Sequence, residues 1–346
     1  MTIDIITAGT ACIVIFADVF AIFSSQFFFF ILVLTPIGVL FRVTLILLLL
    51  YVKREMSSQT KSTAPVKVDL KEFVVSSKRN VSRVNNRLDD YLKNSNEKNI
   101  HDIRTAVRRL ESSYKALPRN MQKKNKIKQY ISKYKDLFRL NSKIRDYDII
   151  TEKIQQHEQH QNVDIENCKK RLASRREAKL REARALALEI RKMSVPKLNR
   201  GNISDKKLTK RYNKVVSRFA NKILLNVPIV IADAEKLKEL HEIRKDCKKL
   251  RYLLELLPVN NSSRKGDVSQ LLQELEKMQD ILGEIHDCDA VISYLKRQVK
   301  RPKLDEITNK IIEERSKKYE EFRTYCKADI ANNQNYPLLL KICSIT

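Results

Sequence analysis

The chain carries one helical pattern twice, and this repetition constrains its fold more than any other feature of the sequence. Residues 100–104 (IHDIR) match residues 240–244 (LHEIR) at an offset of 140, and the match continues to residues 117 and 257. A second pair of segments, residues 142–148 and 283–289, matches at an offset of 141. The repetition predicts an internal duplication that folds as two halves related by pseudo-twofold symmetry.

Composition and periodicity predict an all-α fold. The 346 residues include only 5 Gly and 8 Pro but 32% charged residues, which argues against a turn-rich β fold and a Gly-rich nucleotide-binding α/β fold. We predict four helices in each half, at 68–93, 98–117, 122–156 and 164–193, and at 205–226, 233–257, 266–298 and 302–331. Their short connections make neighbouring helices antiparallel, so each repeat half, 68–196 and 203–335, is predicted to be a four-helix bundle.

An apolar leader precedes the repeats. Residues 1–55 form this leader, residues 56–67 a polar linker, and residues 68–335 the duplicated domain. Within the leader, residues 27–52 are long enough to cross a hydrocarbon core of about 30 Å, although Pro36 and Arg42 interrupt them. This pattern predicts membrane association through residues 5–52.

The basic residues after the leader indicate its orientation. Lys53 and Arg54 follow it directly, and the positive-inside bias would keep the domain in the cytoplasm, at the membrane face. A second interpretation is that translation starts at Met56, where a Ser/Thr/Lys-rich segment begins. The sequence alone does not decide between Met1 and Met56.

Each histidine-bearing helix has an apolar stripe and, about 120° away on an ideal helix, a polar stripe. The apolar stripes consist of Ile100, Ile103, Val107, Leu110, Tyr114 and Leu117, and of Leu240, Ile243, Cys247, Leu250, Leu254 and Leu257. The polar stripes consist of His101, Arg104, Arg108, Ser112 and Lys115, and of His241, Arg244, Lys248, Arg251 and Tyr252. A solvated face needs no particular cation at a particular turn, so the recurrence of these cations in both copies predicts a binding surface.

The spacing of these cations suits an extended anion. The net charge of +27 predicts a polyanionic partner, such as nucleic acid, anionic lipid or polymeric phosphate. Arg can contact two phosphate oxygens at once, and Lys is a mobile point charge. His101 and His241 should be partly neutral beside so many cations and should gain a proton when an anion binds.

The second pair of matching segments is expected to extend the same surface. Arg145 and His286 should each add a cation from a neighbouring helix. Asp146 and Asp287, which follow them, could orient these side chains by hydrogen bonds or form ion pairs between helices.

These patterns resemble the CHAD domain, a duplicated α-helical domain named for its histidines. The segments HDIRTAVRRL and LHEIRKDCKKLRYLLELL, followed by KIRDYDII and LGEIHDCDAVI, carry the resemblance, which covers about residues 68–335. It implies a pair of four-helix bundles with a positively charged surface that binds inorganic polyphosphate. We expect no catalysis, cofactor or metal, and a location in the cytoplasm, at the membrane face or on polyphosphate granules. The resemblance places the family's binding positions at His101, Arg104, Arg108, Arg109, His241, Arg244, Lys248, Lys249, Arg251 and Tyr252. Our predicted site adds Lys115, Arg145, Lys245 and His286.

A metal-dependent phosphohydrolase is the enzymatic alternative, because residues 101–102 and 286–287 are HD dipeptides. Such a site needs more histidines converging on a metal. The chain has five, and His157 and His160 lie in a Gln-rich connector that we predict to be a loop. The repeat also aligns the first dipeptide with residues 241–242 instead of with the second dipeptide.

Nucleic acid is the other alternative. Modules that bind nucleic acid usually add stacking aromatic residues, whereas the basic stripes carry one aromatic residue, Tyr252. Recognition of phosphates alone would bind DNA or RNA weakly, with steep salt dependence. The six Cys are widely separated, without the spacing of a disulfide framework or zinc site, and are predicted to be reduced.

Overall fold

The computed structural model describes residues 67–158, 162–196, 203–256, 262–298 and 302–331, which belong to one compact unit, Thr63–Thr346. In these ranges the chain forms nine helices and no strand, which confirms the all-α prediction. They are α1 (Leu70–Lys93), α2 (Glu97–Ala116), α3 (Arg119–Gln122), α4 (Asn125–His157), α5 (Val163–Arg191), α6 (Asp205–Ala232), α7 (Leu237–Leu254), α8 (Ser262–Leu295) and α9 (Pro302–Ala331). The predicted leader and its 27–52 span lie outside the described residues.

The long helices of each half pack in the same order. In the first half α1 contacts α2, α2 contacts α4, α4 contacts α5, and α5 returns to α1. In the second half α6, α7, α8 and α9 follow the same scheme. Between the halves α2 contacts α7 and α4 contacts α8, so helices with matching sequences meet each other. The duplication itself remains an inference from the sequence.

Similar local interactions connect the first two helices of each half. Arg87 of α1 pairs with Asp102 of α2 at 3.5 Å, and Lys222 of α6 lies 3.9 Å from Glu242 of α7. The helix starts differ, because the side chain of Asp69 caps α1 whereas α6 has no side-chain cap. Asp69 Oδ1 accepts from the first free backbone N–H groups of α1, which have no partner within the helix.

Helix α6 continues beyond its predicted end at residue 226. α6 includes Pro228, which lacks the N–H that an α-helix uses, and ends at Ala232. Pro228 is exposed, while Val227 and Val230 are buried, and the Tyr319 hydroxyl of α9 donates to the Val230 carbonyl at 2.7 Å. Burial of the inner face therefore outweighs the hydrogen bond lost at Pro228.

Three smaller differences concern turns and helix ends. A one-turn helix, α3, occupies the connection between α2 and α4, and α7 begins at Leu237 instead of residue 233. The Asp233 side chain accepts from the Glu235 amide and holds a turn before α7. Helix α4 ends at His157, one residue beyond its predicted end, so His157 lies on the helix and not in a loop, and it contacts Glu314 of α9 at 3.2 Å.

The apolar core consists of two clusters of buried side chains. The larger includes residues of α1 to α9 and most of the predicted apolar stripes, with Ile100, Ile103, Leu240 and Ile243 all 2% exposed or less. The smaller is formed by the C-terminal parts of α4 and α8 and the N-terminal parts of α5 and α9. Among the described helices, α6 alone has the length and composition to cross a membrane, but nine of its residues are buried in the bundle.

Candidate functional site

The candidate site lies at the level where the two apolar clusters of the core are separated on α4 and α8. On α4, Ile144 belongs to the larger cluster and Ile149 to the smaller, and on α8 the same holds for Ile285 and Cys288. Between these apolar residues lie residues 145–148 and 286–287, which are partly exposed. The polar stripes of α2 and α7 reach this level from the two halves of the molecule.

Four cations from α2 and α7 form the centre of the site. We call Arg104, Arg108, Arg244 and Lys248 the central cations. All four are partly buried, and none forms an ion pair with a carboxylate in the described ranges. They influence one another across the halves, because Arg108 lowers the pKa of Arg244, and Arg104 and Arg108 both lower that of Lys248. The two basic stripes therefore share one electrostatic environment.

Burial and mutual repulsion both disfavour charge at this centre. Burial, then the charge of Arg108, lowers the pKa of Arg104 to about 10. Arg244 also has a pKa of about 10, with burial as the main cause. For Lys248, burial followed by Arg244 lowers the pKa to about 7, far below the usual 10.5 of a lysine. Lys248 is the central cation that loses its proton most easily.

Among the four central cations, two guanidinium groups have a buried donor without an acceptor; outside them, the Nε atoms of Arg251 and Arg323 also have no hydrogen-bond partner. The Nε atoms of Arg104 and Arg244, which the repeat aligns with each other, are buried and have no hydrogen-bond partner in the structure. Buried donors in proteins are nearly always paired, because an unpaired one costs about 1–3 kcal/mol. Unpaired donors at two matching positions are what we expect of an anion-binding site without its ligand.

Asp146 and Asp287 lie near the central cations without pairing with them. Neither makes a hydrogen bond or an ion pair among the described residues, so neither of the two roles that the sequence left open is observed. Burial is the largest influence on both carboxyls and raises the pKa of each, against the opposing effect of Arg244. They moderate the positive potential without neutralising a particular cation.

His241 and His286 contact each other. His241 Nδ1 donates to the Leu237 carbonyl at 2.7 Å, which leaves its Nε2 to accept from His286 Nδ1. The two rings meet edge to face, with centroids 4.4 Å apart. Burial, then the charge of Arg244, lowers the pKa of His286 to about 2, so His286 is uncharged in the free protein at neutral pH.

The first half differs here. His101 is exposed, and burial of part of its ring, then the charge of Arg104, lowers its pKa. The position that matches His286 is Arg145, which pairs with Glu97 at the start of α2. Arg145 therefore approaches the site as predicted, but with its charge already compensated.

The remaining predicted cations have carboxylate partners, with one exception. Arg109 pairs with Glu255 at 3.2 Å, Lys115 with Glu111 at 3.4 Å, Lys249 with Asp246 at 2.6 Å, and Arg251 with Glu276 at 2.5 Å. Together with Arg145 these are the peripheral cations. Lys245 is exposed and affects none of the pKa values given above for the central cations.

Two aromatic rings lie beneath arginines of the site. Tyr252, predicted on the polar stripe, is only 5% exposed, with the guanidinium groups of Arg109 and Arg251 within 5.3 Å of its ring centroid. Phe138 of α4, absent from the prediction, lies under Arg104 and Arg108 at 5.8 and 5.0 Å. Phe138 precedes Arg145 by seven residues, so its helical spacing was the signal that could have identified it.

The HD dipeptides do not converge. Asp102 faces Arg87 of α1, whereas His286 faces His241. In the part of the chain that the structure describes, no group of three or more His, Cys, Asp and Glu side chains is placed to hold a metal ion. Cys168, Cys247 and Cys288 are free thiols, and these three and Cys326 are buried.

Comparison with known proteins identifies the domain. The family model described as the CHAD domain matches residues 78–296. The crystal structure of the CHAD domain from the plant Ricinus communis is similar to this fold, with a TM-score of 0.54 and 13% sequence identity, over 77% of this chain and 95% of that one. No curated protein sequence matches the chain. Because the family model covers more than half of the 346 residues, this chain belongs to the CHAD domain family.

Proposed function

We propose that this protein binds inorganic polyphosphate at the central cations and catalyses no reaction on it. The observation that carries the proposal is the lack of carboxylate partners for Arg104, Arg108, Arg244 and Lys248 in the described ranges, although each peripheral cation has one. A partly buried cation without a carboxylate partner is costly, because it loses water without gaining a counter-charge. A bound polyanion would offset that cost.

The geometry suits a chain of phosphates better than a single small anion. The central cations come from both halves, and each arginine can contact two oxygens of one phosphate or bridge neighbouring phosphates. The unpaired Nε donors of Arg104 and Arg244 would gain acceptors. Charge-assisted hydrogen bonds of this kind are stronger where water is partly excluded.

The aromatic rings favour polyphosphate over nucleic acid. Proteins that bind single strands stack bases on exposed aromatic side chains. Phe138 and Tyr252, the rings that touch the arginines of the site, are already covered by guanidinium groups. Nucleic acid would therefore be held by its phosphates alone, and we expect long-chain polyphosphate to displace RNA of equal charge at physiological salt.

The test compares a central with a peripheral cation. Binding of long-chain polyphosphate should weaken about tenfold or more in Arg104→Ala and Arg244→Ala, and the salt dependence should lose about one counterion in each. Lys249→Ala is the matched control, because Lys249 follows Lys248 on the same helix but pairs with Asp246. Isothermal titration calorimetry at several salt concentrations measures both quantities.

Equal losses in the central and control variants would overturn the siting. If RNA resists displacement by polyphosphate, the nucleic-acid alternative gains. Hydrolysis of a phosphodiester by the purified protein with manganese, abolished in Asp287→Ala, would instead establish the enzymatic alternative.

From the sequence we further propose that the domain is cytoplasmic and that residues 5–52 attach it to the membrane. Native mass spectrometry of the endogenous protein would detect the leader and any bound anion together. A mature chain that begins at Met56 would overturn this attachment and leave the anion site unaffected.

A further inference from the structure

The outer face of α6 combines a row of unpaired cations with an exposed apolar end. Four exposed cations lie along one stripe at spacings of three and four: Lys207, Lys210, Lys214 and Arg218. None of them pairs with a carboxylate among the described residues, and α6 contains one acidic residue, Asp205, at its first position. The stripe continues through the uncharged Asn221 into Leu225, Pro228 and Ile229, of which Leu225 is 70% and Ile229 42% exposed.

The fold does not require apolar residues at these positions. Residues 81–84 of α1 match residues 216–219 of α6 at an offset of 135, and the same offset aligns Leu225 with Asp90 and Ile229 with Asn94. The first half therefore has polar residues at these positions, Asp90 in the last turn of α1 and Asn94 directly after its end. Since both helices pack in equivalent places in their bundles, the apolar end of α6 is a property of this surface and not of the bundle.

We propose that the outer face of α6 docks on an anionic lipid membrane. A helix in the interfacial plane of such a membrane combines cations for the lipid phosphates with apolar side chains that enter the headgroup region. The row from Lys207 to Arg218 supplies the cations, and Leu225 and Ile229 supply the apolar side chains. This proposal depends neither on the leader nor on binding of polyphosphate at the central cations.

The positive charge of this face favours an anionic lipid membrane over a second copy of the chain as its partner. A second copy of the chain would bring a row of like charges, and the +27 net charge makes self-association of this face unfavourable. A lipid surface rich in phosphatidylserine presents negative charge at the distances that the cation row spans. Each cation near such a surface strengthens binding about fivefold.

Tryptophan fluorescence of the full chain tests the proposal, because the sequence contains no tryptophan. The L225W indole should shift to shorter wavelength and be quenched by brominated lipid when vesicles of phosphatidylcholine and phosphatidylserine are added. Vesicles of phosphatidylcholine alone should give a weaker effect. Combining L225W with K214E and R218E should reduce vesicle binding at least tenfold, since two attractive charges become repulsive.

Val163 of α5 is the matched control, because it is 76% exposed but shares the first turn of its helix with two acidic residues, Asp164 and Glu166. The V163W indole should remain unquenched, even if the leader holds the chain on the vesicle. Equal quenching of V163W and L225W overturns the proposal, and so does a lack of quenching in L225W. A shifted emission of L225W before vesicles are added also overturns it: dependence on protein concentration would identify a second copy, and independence another part of this chain.

Discussion

At the scale of single residues, two residues adjacent in sequence can have different electrostatic partners in the site. Lys248 and Lys249 are adjacent, but a helix turns by about 100° per residue and sends them in different directions. Lys249 pairs with Asp246, whereas Lys248 faces Arg244, Arg108 and Arg104. The titration of Lys248 therefore reports on the electrostatic environment of the central cations.

Binding should weaken as pH rises through neutrality. In the free protein, burial and then Arg244 lower the pKa of Lys248 to about 7, and a bound phosphate would raise it again. Below that pH Lys248 is charged in both states and contributes no pH dependence to the affinity. Above it binding must take up a proton, so affinity should fall by up to about tenfold per pH unit until the pKa of the complex is reached.

Lys248→Arg tests this explanation. Arginine keeps its proton throughout the range, so the variant should bind at pH 9 nearly as well as at pH 7. The polyphosphate is the same in both titrations, so its own ionisation cancels from the comparison. Titration calorimetry at several pH values measures the slopes, and an unchanged slope in the variant would assign the pH dependence to another group.

The residue scale also shows what the sequence could and could not predict about the site. Periodicity places Arg104, Arg108, Arg244 and Lys248 on stripes beside the core, and the structure brings these stripes together. The pairing of Lys115 with Glu111 follows from their spacing of four residues on one helix. The pairing of Arg109 with Glu255 joins the two halves across 146 residues, and no local pattern contains it.

At the scale of helices, one ion pair in each half fixes the last helix beside the site. Asp148 of α4 accepts from Arg176 of α5 at 2.6 Å, and Asp289 of α8 accepts from Arg315 of α9 at the same distance. The repeat aligns the two aspartates. Arg315 also donates to the Ala234 carbonyl at 3.1 Å, so α9 is tied to the turn between α6 and α7.

We expect Asp289→Ala to cost more stability than Asp148→Ala. The Asp289 and Arg315 side chains are each 10% exposed, so removing one leaves a buried charge at a cost of about 3 kcal/mol. Asp148 and Arg176 are 17% and 26% exposed, and water can solvate the remaining partner, for a cost nearer 1 kcal/mol. Urea unfolding measures both free energies, and equal costs would contradict the role of burial.

Helix positions are the part of the fold that sequence predicts best, and helix ends the part that it predicts least well. The 3.6-residue period locates α1, α2 and α5 to within two residues at each end. The end of α6 at Ala232 was not predicted, because a proline in the sequence indicates only the loss of a local backbone hydrogen bond. The burial that outweighs it involves a distant helix, because Tyr319, which donates to the Val230 carbonyl, lies 89 residues further along the chain.

At the scale of the whole molecule, the central cations belong to neither half alone. Arg104 and Arg108 come from α2 and Arg244 and Lys248 from α7, so a bound polyphosphate would bridge the halves. Without ligand, their mutual repulsion acts against the contact between α2 and α7. Ligand and fold stability should therefore be coupled through the interface between the two bundles.

This coupling predicts two changes of opposite sign in one variant. With free polyphosphate at about 100 times its dissociation constant, the intact protein should gain about 2.7 kcal/mol, a rise of several degrees in Tm for a domain of this size. Arg244→Ala should raise the Tm of the free protein slightly, because burial and then Arg108 disfavour the charge that it removes, and should also reduce the rise that polyphosphate causes. Differential scanning calorimetry measures both, with Lys249→Ala as the control in which the rise caused by polyphosphate should persist, whatever the loss of the Asp246 pair does to the free Tm. If Arg244→Ala instead lowers the free Tm and leaves the ligand-induced rise intact, Arg244 stabilises the fold and is not part of the anion site.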